Sequence, residues 1–369
     1  MAAPSQPVGT KGELACPLCW LRFDKGEVIH LEAKSPTSDL ACPHCRHKLP
    51  PDFLRVPYHT ISLIGDQDAG KSSFLCMLTK VLPVALYREF GIGFQDGDPE
   101  VNDAINDLQK VMFETRSFAE TMYEQVSRSG RTVAMPRPFT YTLTPAEKVR
   151  EQCALIFYNN AGEHFQPGAS AAELPEAQQL AHAAGIIYLF DPFNSAAFRA
   201  ALKGSADPQM EKTLVDRQEA LLAEIRACRL AMQNQFKGAK ANIPVALVVG
   251  KSDAWLPLLE GVPIIDPLQE GLLEQATITK NSAAVQQLLQ RLCPEVVTAA
   301  EALSPNLRFF AASAFGHAPT INEAGELAPD PAQLQPQQVE IPILWILSQI
   351  CPALFRALKT ASEPASPSA

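Results

Sequence analysis

The stretch Gly65-Asp-Gln-Asp-Ala-Gly70-Lys71-Ser72-Ser73 constrains this chain more than any other. It fits the pattern G-x-x-x-x-G-K-[ST] completely. An apolar run, His59-Thr-Ile-Ser-Leu-Ile-Gly65, leads into it, and a helix-like run over residues 73–81 leads out. Strand, glycine loop and helix form the setting in which a loop wraps phosphate. Gly65 and Gly70 permit the tight turn, and the amides around Asp68, Ala69 and Ser73 turn inward. The start of the following helix favours an anion. Lys71 is expected to bridge the β- and γ-phosphates, Ser72 Oγ to bind Mg²⁺, and Ser73 to reach the α-phosphate.

The rest of the chain is patterned to carry such a loop. Short apolar runs recur at residues 139–143, 154–158, 185–190, 244–249 and, more weakly, 307–312. Helix-like stretches separate most of them. The clearest spans 212–236, where Leu214, Leu221, Ile225, Cys228 and Met232 share one face. Continuous apolar strands alternating with helices predict an α/β fold, a mainly parallel six-stranded sheet covered on both faces. Residues 139–143 alternate more than the others and read as an edge strand. A helical insertion is expected within 82–137, and a last helix over 344–350 should kink or restart at Pro352. At 369 residues with 47% apolar types, the chain can bury a large core. Its net charge of −9 argues against coating a nucleic-acid backbone, since Arg22, Lys25, Arg46 and Lys48 make only a thin basic set.

Nine cysteines divide into two groups. Cys16-Pro-Leu-Cys19 and Cys42-Pro-His-Cys45 are two C-x-x-C knuckles, and four thiolates suit a closed tetrahedral zinc site. The segment resembles a zinc ribbon, read either as a docking module or as a folded cap. His44 and His47 are substitute ligands at most. The other five cysteines read as buried, reduced thiols. The expected organisation is a leader over 1–14, the ribbon over 15–50, a linker over 51–57, one large domain over 58–357 and a disordered tail over 360–369. Neither a secretory leader nor a membrane-spanning run is evident, so a cytoplasmic setting is expected.

Three more elements follow the glycine loop in order. Ile156-Phe-Tyr-Asn159-Asn-Ala-Gly162-Glu163 resembles the D-x-x-G-[QE] switch of the GTPases. Val248-Val-Gly-Lys251-Ser-Asp253 resembles their guanine-recognition motif [NT]-K-x-D, and Phe310-Ala-Ala-Ser313-Ala314-Phe315 resembles their Ser-Ala loop. Residues 58–357 thus resemble a translation-factor-related (TRAFAC-class) GTPase of the Ras-like fold. Together with the ribbon and the long insertions, they resemble bacterial double-GTPase-type proteins of conflict systems.

The resemblance implies roles. Asp253 would accept hydrogen bonds from guanine N1–H and the 2-amino group, with Lys251 over the base and the amides at Ser313 and Ala314 near O6. Gly162 would sense the γ-phosphate. Asn159 stands where an Mg²⁺-facing aspartate normally sits, and Glu163 stands where a water-orienting glutamine does. Gly250 replaces the usual Asn or Thr, so one loop-bracing side chain is missing. Thr132 is the choice for the switch threonine, with Arg131 and Arg137 nearby. Asp68 matches GTPases that place K⁺ between the phosphates; an outward-facing carboxylate is the plainer reading. The implied activity is Mg²⁺-dependent hydrolysis of GTP to GDP by a slow molecular switch, with effectors reading 127–138 and 159–175. The alternative is a scaffold that binds GTP without hydrolysing it.

Overall fold

The apolar run that enters the glycine loop becomes the central strand of a seven-stranded sheet. In chain order the strands are β1 (Tyr58–Gly65), β2 (Ile92–Asp96), β3 (Pro138–Pro145), β4 (Cys153–Asn159), β5 (Gly185–Phe190), β6 (Val245–Val249) and β7 (Leu307–Ala311). Their order across the sheet is β7-β6-β5-β1-β4-β3-β2. The five strands from β7 to β4 run parallel, while β3 is antiparallel to both β4 and β2. This computed structural model describes residues 13–31, 40–50, 53–114, 123–128, 131–136, 138–147, 151–159, 175–214, 216–235, 242–269, 271–321 and 327–355.

Two apolar layers explain why the strands read as continuous runs. Ile61, Leu63, Leu155 and Phe157 face α1 (Lys71–Phe90) and the last long helix, Ile341–Ile350, through Phe74 and Trp345. Ile64, Tyr188, Phe190 and Leu247 face the opposite layer, which includes the helices Pro175–His182, Gln218–Gln235 and Pro294–Leu303. No helix among the described residues is long and apolar enough to cross a membrane.

The structure corrects the sequence reading at two places. The sheet has seven strands, and its edge on this side is β2 rather than the run at 139–143. Beyond the end of β2, at Thr140, Asn102 on the helix Pro99–Glu114 takes the strand's backbone instead. Its Nδ2 donates to Thr140 O (2.6 Å) and its Oδ1 accepts from Thr140 N (3.0 Å). The helix at 212–236 begins later, at Gln218, after a separate turn Pro208–Glu211. Downstream of Pro99–Glu114 the inserted region forms a hairpin, Tyr123–Arg128 with Arg131–Pro136. At the C-terminal end, Ile341–Ile350 stops and Pro352–Phe355 starts a new turn, as Pro352 requires.

Candidate functional site

Backbone shape sets the glycine loop. Gly70 sits at φ +83°, the left-handed conformation glycine adopts without cost, and α1 starts at the next residue. Gly65 is required by space: a Cβ there would lie 2.6 Å from Leu189 O on the neighbouring strand. Lys71 is buried and folds back over the loop. Its Nζ donates to the carbonyls of Gly65 (3.0 Å) and Asp66 (2.6 Å). The ammonium therefore stands in the mouth of the loop, where a phosphate would replace those carbonyls. Asp68 is exposed at φ +58°, and Ala69 is buried beneath it.

Ser72 and Ser73 are buried on the first turn of α1. Asn159 closes β4 beside Leu63 of β1, which carries it to the loop. Its Nδ2 donates to Ser72 Oγ at 3.1 Å. A hydroxyl oxygen and a carboxamide on facing elements form a neutral oxygen pair once the amide turns its oxygen inward, and hard oxygen donors of this kind suit Mg²⁺. Asp66 is also buried. Its Oδ1 accepts from Gln67 N (2.9 Å), and burial raises its carboxyl above the usual carboxylate range.

Further along the sheet the structure reveals a residue the motifs do not contain. Asp191 follows β5 directly and caps the turn Pro192–Asn194, its Oδ1 accepting from Phe193 N (2.9 Å). The same carboxylate takes both bonds from Lys251 Nζ, at 2.8 and 2.7 Å. Lys251 lies 4.9 Å over the Phe193 ring. Gln218 clamps Asp191 from behind: its Oε1 accepts from Asp191 N (2.6 Å) and its Nε2 donates to Asp191 O (3.0 Å). The only sequence signal was an Asp-Pro step at the end of an apolar run.

Other contacts brace the loop that Gly250 left without a side-chain brace. Trp255 Nε1 donates to Gly250 O (2.8 Å), and Gly250 N donates to Phe190 O (2.9 Å). Asp253 is half-buried on the short helix Ser252–Trp255. Ser252 N donates to Ala312 O (3.1 Å), tying this loop to the Ser313-Ala314 loop. Ser313 N donates to Gln337 O (3.0 Å), and Ser313 Oγ accepts from Gly316 N (2.9 Å), which closes the loop on itself. An open cavity of about 360 Å³ flanks the glycine loop, lined by Asp68, Asp191, Phe193, Arg199, Lys212 and Lys251 among others. It includes neither Ser72 nor Asp253, so it is one flank of the phosphate cradle. Gly162 and Glu163 lie outside the described residues. Thr132 lies on the hairpin strand Arg131–Pro136, paired with Ser127.

The four knuckle cysteines converge. Their sulfurs all lie within 4.8 Å of one another, with Cys16–Cys45 and Cys19–Cys42 each 3.8 Å apart. Zinc bonded to sulfur at ~2.3 Å in a tetrahedron requires sulfur–sulfur edges of ~3.8 Å. Amides of Leu18 and His44 donate to Cys16 and Cys42 Sγ, both at 3.4 Å. Hydrogen bonds from the neighbouring thiols favour the Cys42 thiolate and push the Cys16 thiol up. A divalent cation would remove that conflict. His44 and His47 instead contact backbone carbonyls, Arg22 O at 2.9 Å and Cys45 O at 3.3 Å.

The cysteine segment shares a core with the sheet. Trp20, Phe23 and Phe53 pack with Ile156 and Tyr158 of β4. Trp20 stacks on His182, with centroids 5.1 Å apart and planes 4° from parallel. Tyr58 Oη donates to Ala15 O at 2.8 Å.

A family model described as Double-GTPase 2 matches residues 59–307, well over half of the chain. The match begins in β1 and ends where β7 begins. No curated protein matches the chain.

Proposed function

The chain belongs to the Double-GTPase 2 family, and we propose that it is a GTP-binding switch whose timer is Mg²⁺-dependent hydrolysis of GTP to GDP. The observation that carries this reading is the phosphate loop itself, with Lys71 held at its mouth by the carbonyls of Gly65 and Asp66. In this reading Gly65, Asp68, Ala69, Gly70 and Ser73 line the phosphates. Lys71 neutralises charge that moves onto the β–γ bridge as the γ-phosphate leaves. Ser72 and Asn159 hold Mg²⁺, which adds Lewis-acid charge to the phosphates. Asn159 supplies no negative charge, so metal is held weakly and turnover is slow.

Lys251, Asp253, Ser313 and Ala314 hold the guanine. The Asp191 anchor pins the Lys251 ammonium, so its position is set before nucleotide arrives. Gly162 and Glu163 sense the γ-phosphate and place the attacking water, and Thr132 closes from the hairpin. Asp68 offers an exposed carboxylate for K⁺. The zinc ribbon serves as a docking module rather than a cap. Its Trp20 rests on His182, at the end of the helix that follows the switch segment 159–175, so the stack joins the ribbon to that helix.

One observation favours the alternative of a non-hydrolysing scaffold: the Asn159 amide donates to Ser72, the hydroxyl that a working switch gives to the metal. Single-turnover hydrolysis of GTP and ATP with Mg²⁺, in matched K⁺ and Na⁺ buffers beside binding titrations, decides between them. GTP-selective binding with slow hydrolysis is the expected result, faster in K⁺ if Asp68 holds the ion. Tight GTP binding without hydrolysis in either salt means the scaffold.

A further inference from the structure

Two of the cysteines outside the ribbon meet. Cys153 opens β4, and Cys351 caps the end of the helix Ile341–Ile350, 198 residues away in sequence. Their sulfurs are 3.7 Å apart and both side chains are buried. His59, the second residue of β1, offers a ring nitrogen, and all three donor atoms lie within 4.8 Å of one another.

Sheet register explains the meeting. β1 and β4 run parallel with His59 beside Leu155, so His59, Cys153 and Leu155 point to one face. That face is otherwise apolar, carrying Ile61, Leu63 and Phe157 toward α1 and the C-terminal helix. An imidazole at its margin breaks the pattern at the one place where two thiols arrive. Cys351 is fixed there because its N–H donates to Leu347 O at 2.8 Å, closing the helix.

We propose that His59, Cys153 and Cys351 form a second zinc site, which clamps the C-terminal helix to the roots of β1 and β4. Two thiolates and an imidazole are donors that zinc prefers. The 3.7 Å sulfur–sulfur edge nearly equals the 3.8 Å edges in the ribbon. His59 is only half-buried, so the three donors lie at the margin of the core rather than within it. Binding displaces one proton from each thiol, so affinity rises with pH. The site is remote from the phosphate loop: His59 and Gly65 are six residues apart on one strand, and six residues of strand span ~20 Å. It therefore anchors the two strands that carry Gly65 and Asn159 without touching nucleotide.

The test is zinc content of the full chain purified under reducing conditions, with the ribbon as internal reference. Wild type should hold two zinc ions per chain, and Cys351→Ser should hold one. His59→Gln should also hold one, and it probes the site at a half-buried position if Cys351→Ser does not fold. Cys228→Ser, which alters a buried thiol elsewhere, should keep two. Replacement by Co²⁺ gives a second readout: thiolate-to-cobalt charge-transfer intensity per chain should fall by about one third in Cys351→Ser, since two of six thiolates then leave the metal. One zinc in wild type, two zinc ions retained in both variants, or a Cys153–Cys351 disulfide in the purified protein would overturn the proposal.

Discussion

Replacing Asp191 with alanine tests whether the carboxylate behind the phosphate loop is an anchor. The Asp191 side chain is 4% exposed and that of Lys251 is 19% exposed, and they share two bonds of 2.7 and 2.8 Å. Removing one member of a buried pair costs ~3–5 kcal/mol, because the remaining charge loses its partner. Lys251 keeps part of its hydration at 19% exposure, which brings the expected loss to about 2 kcal/mol. Alanine also removes the cap on Phe193 N, for about 1 kcal/mol more. The sum is about 3 kcal/mol of unfolding free energy, read from the urea midpoint at constant m-value. Nucleotide affinity should fall with it, since the Lys251 ammonium is no longer pinned. Asp191→Asn keeps the capping oxygen and should lose less. The double variant Asp191→Ala with Lys251→Ala should lose less than the two single losses added, because no charge is left unpartnered. If Asp191→Ala unfolds within ~0.5 kcal/mol of wild type and binds GDP unchanged, the anchor does not exist.

Two further outcomes follow from buried titratable groups. Burial, with a smaller push from Arg22, lowers His182 to about 4 from its ordinary 6.5. The stability of the neutral ring is therefore complete above pH 6.5 and is lost as pH falls toward 4, at ~1.4 kcal/mol per pH unit or about 3 kcal/mol in all. His182→Gln should flatten thermal stability between pH 7 and 4.5 relative to wild type, and an equal decline in both proteins would exclude His182 as the cause. Asp66 has the opposite sign: its carboxyl is raised by burial, so its folded state is best below the ordinary carboxylate range and weakened as pH rises through the raised value. Asp66→Asn should therefore melt higher than wild type at pH 7, with the gap closing toward pH 4; a lower melting temperature at pH 7 would show that the charge is needed, through Lys71, to hold the loop.

What was legible in the sequence was what is local. The glycine loop, its strand and its helix are neighbours in the chain, and their residue types follow from one backbone shape. The parallel strands were legible because burial on both faces makes them continuous apolar runs. The strand β2 was not, since Ile92-Gly-Phe-Gln-Asp96 has two apolar residues and exists as an edge because β3 offers it a partner. Asp191, Gln218 and Gln337 were missed for a related reason. Each acts on a residue brought to it by topology, Gln218 reaching back 27 positions and Lys251 meeting Asp191 across 60. Cys153 and Cys351 show the same limit over the longest separation. Read one at a time, each is a thiol in an apolar segment. Only the register that sets His59 beside Leu155, with a helix end above it, brings two buried thiols and a half-buried imidazole together as one set of candidate donors. The same register sets Asn159 beside Leu63 at the other end of the strand pair, two residues before Gly65. One pair of parallel strands therefore carries Asn159 at its tip and the proposed clamp at its root. This is why the clamp can be removed in a test without altering any residue of the phosphate loop.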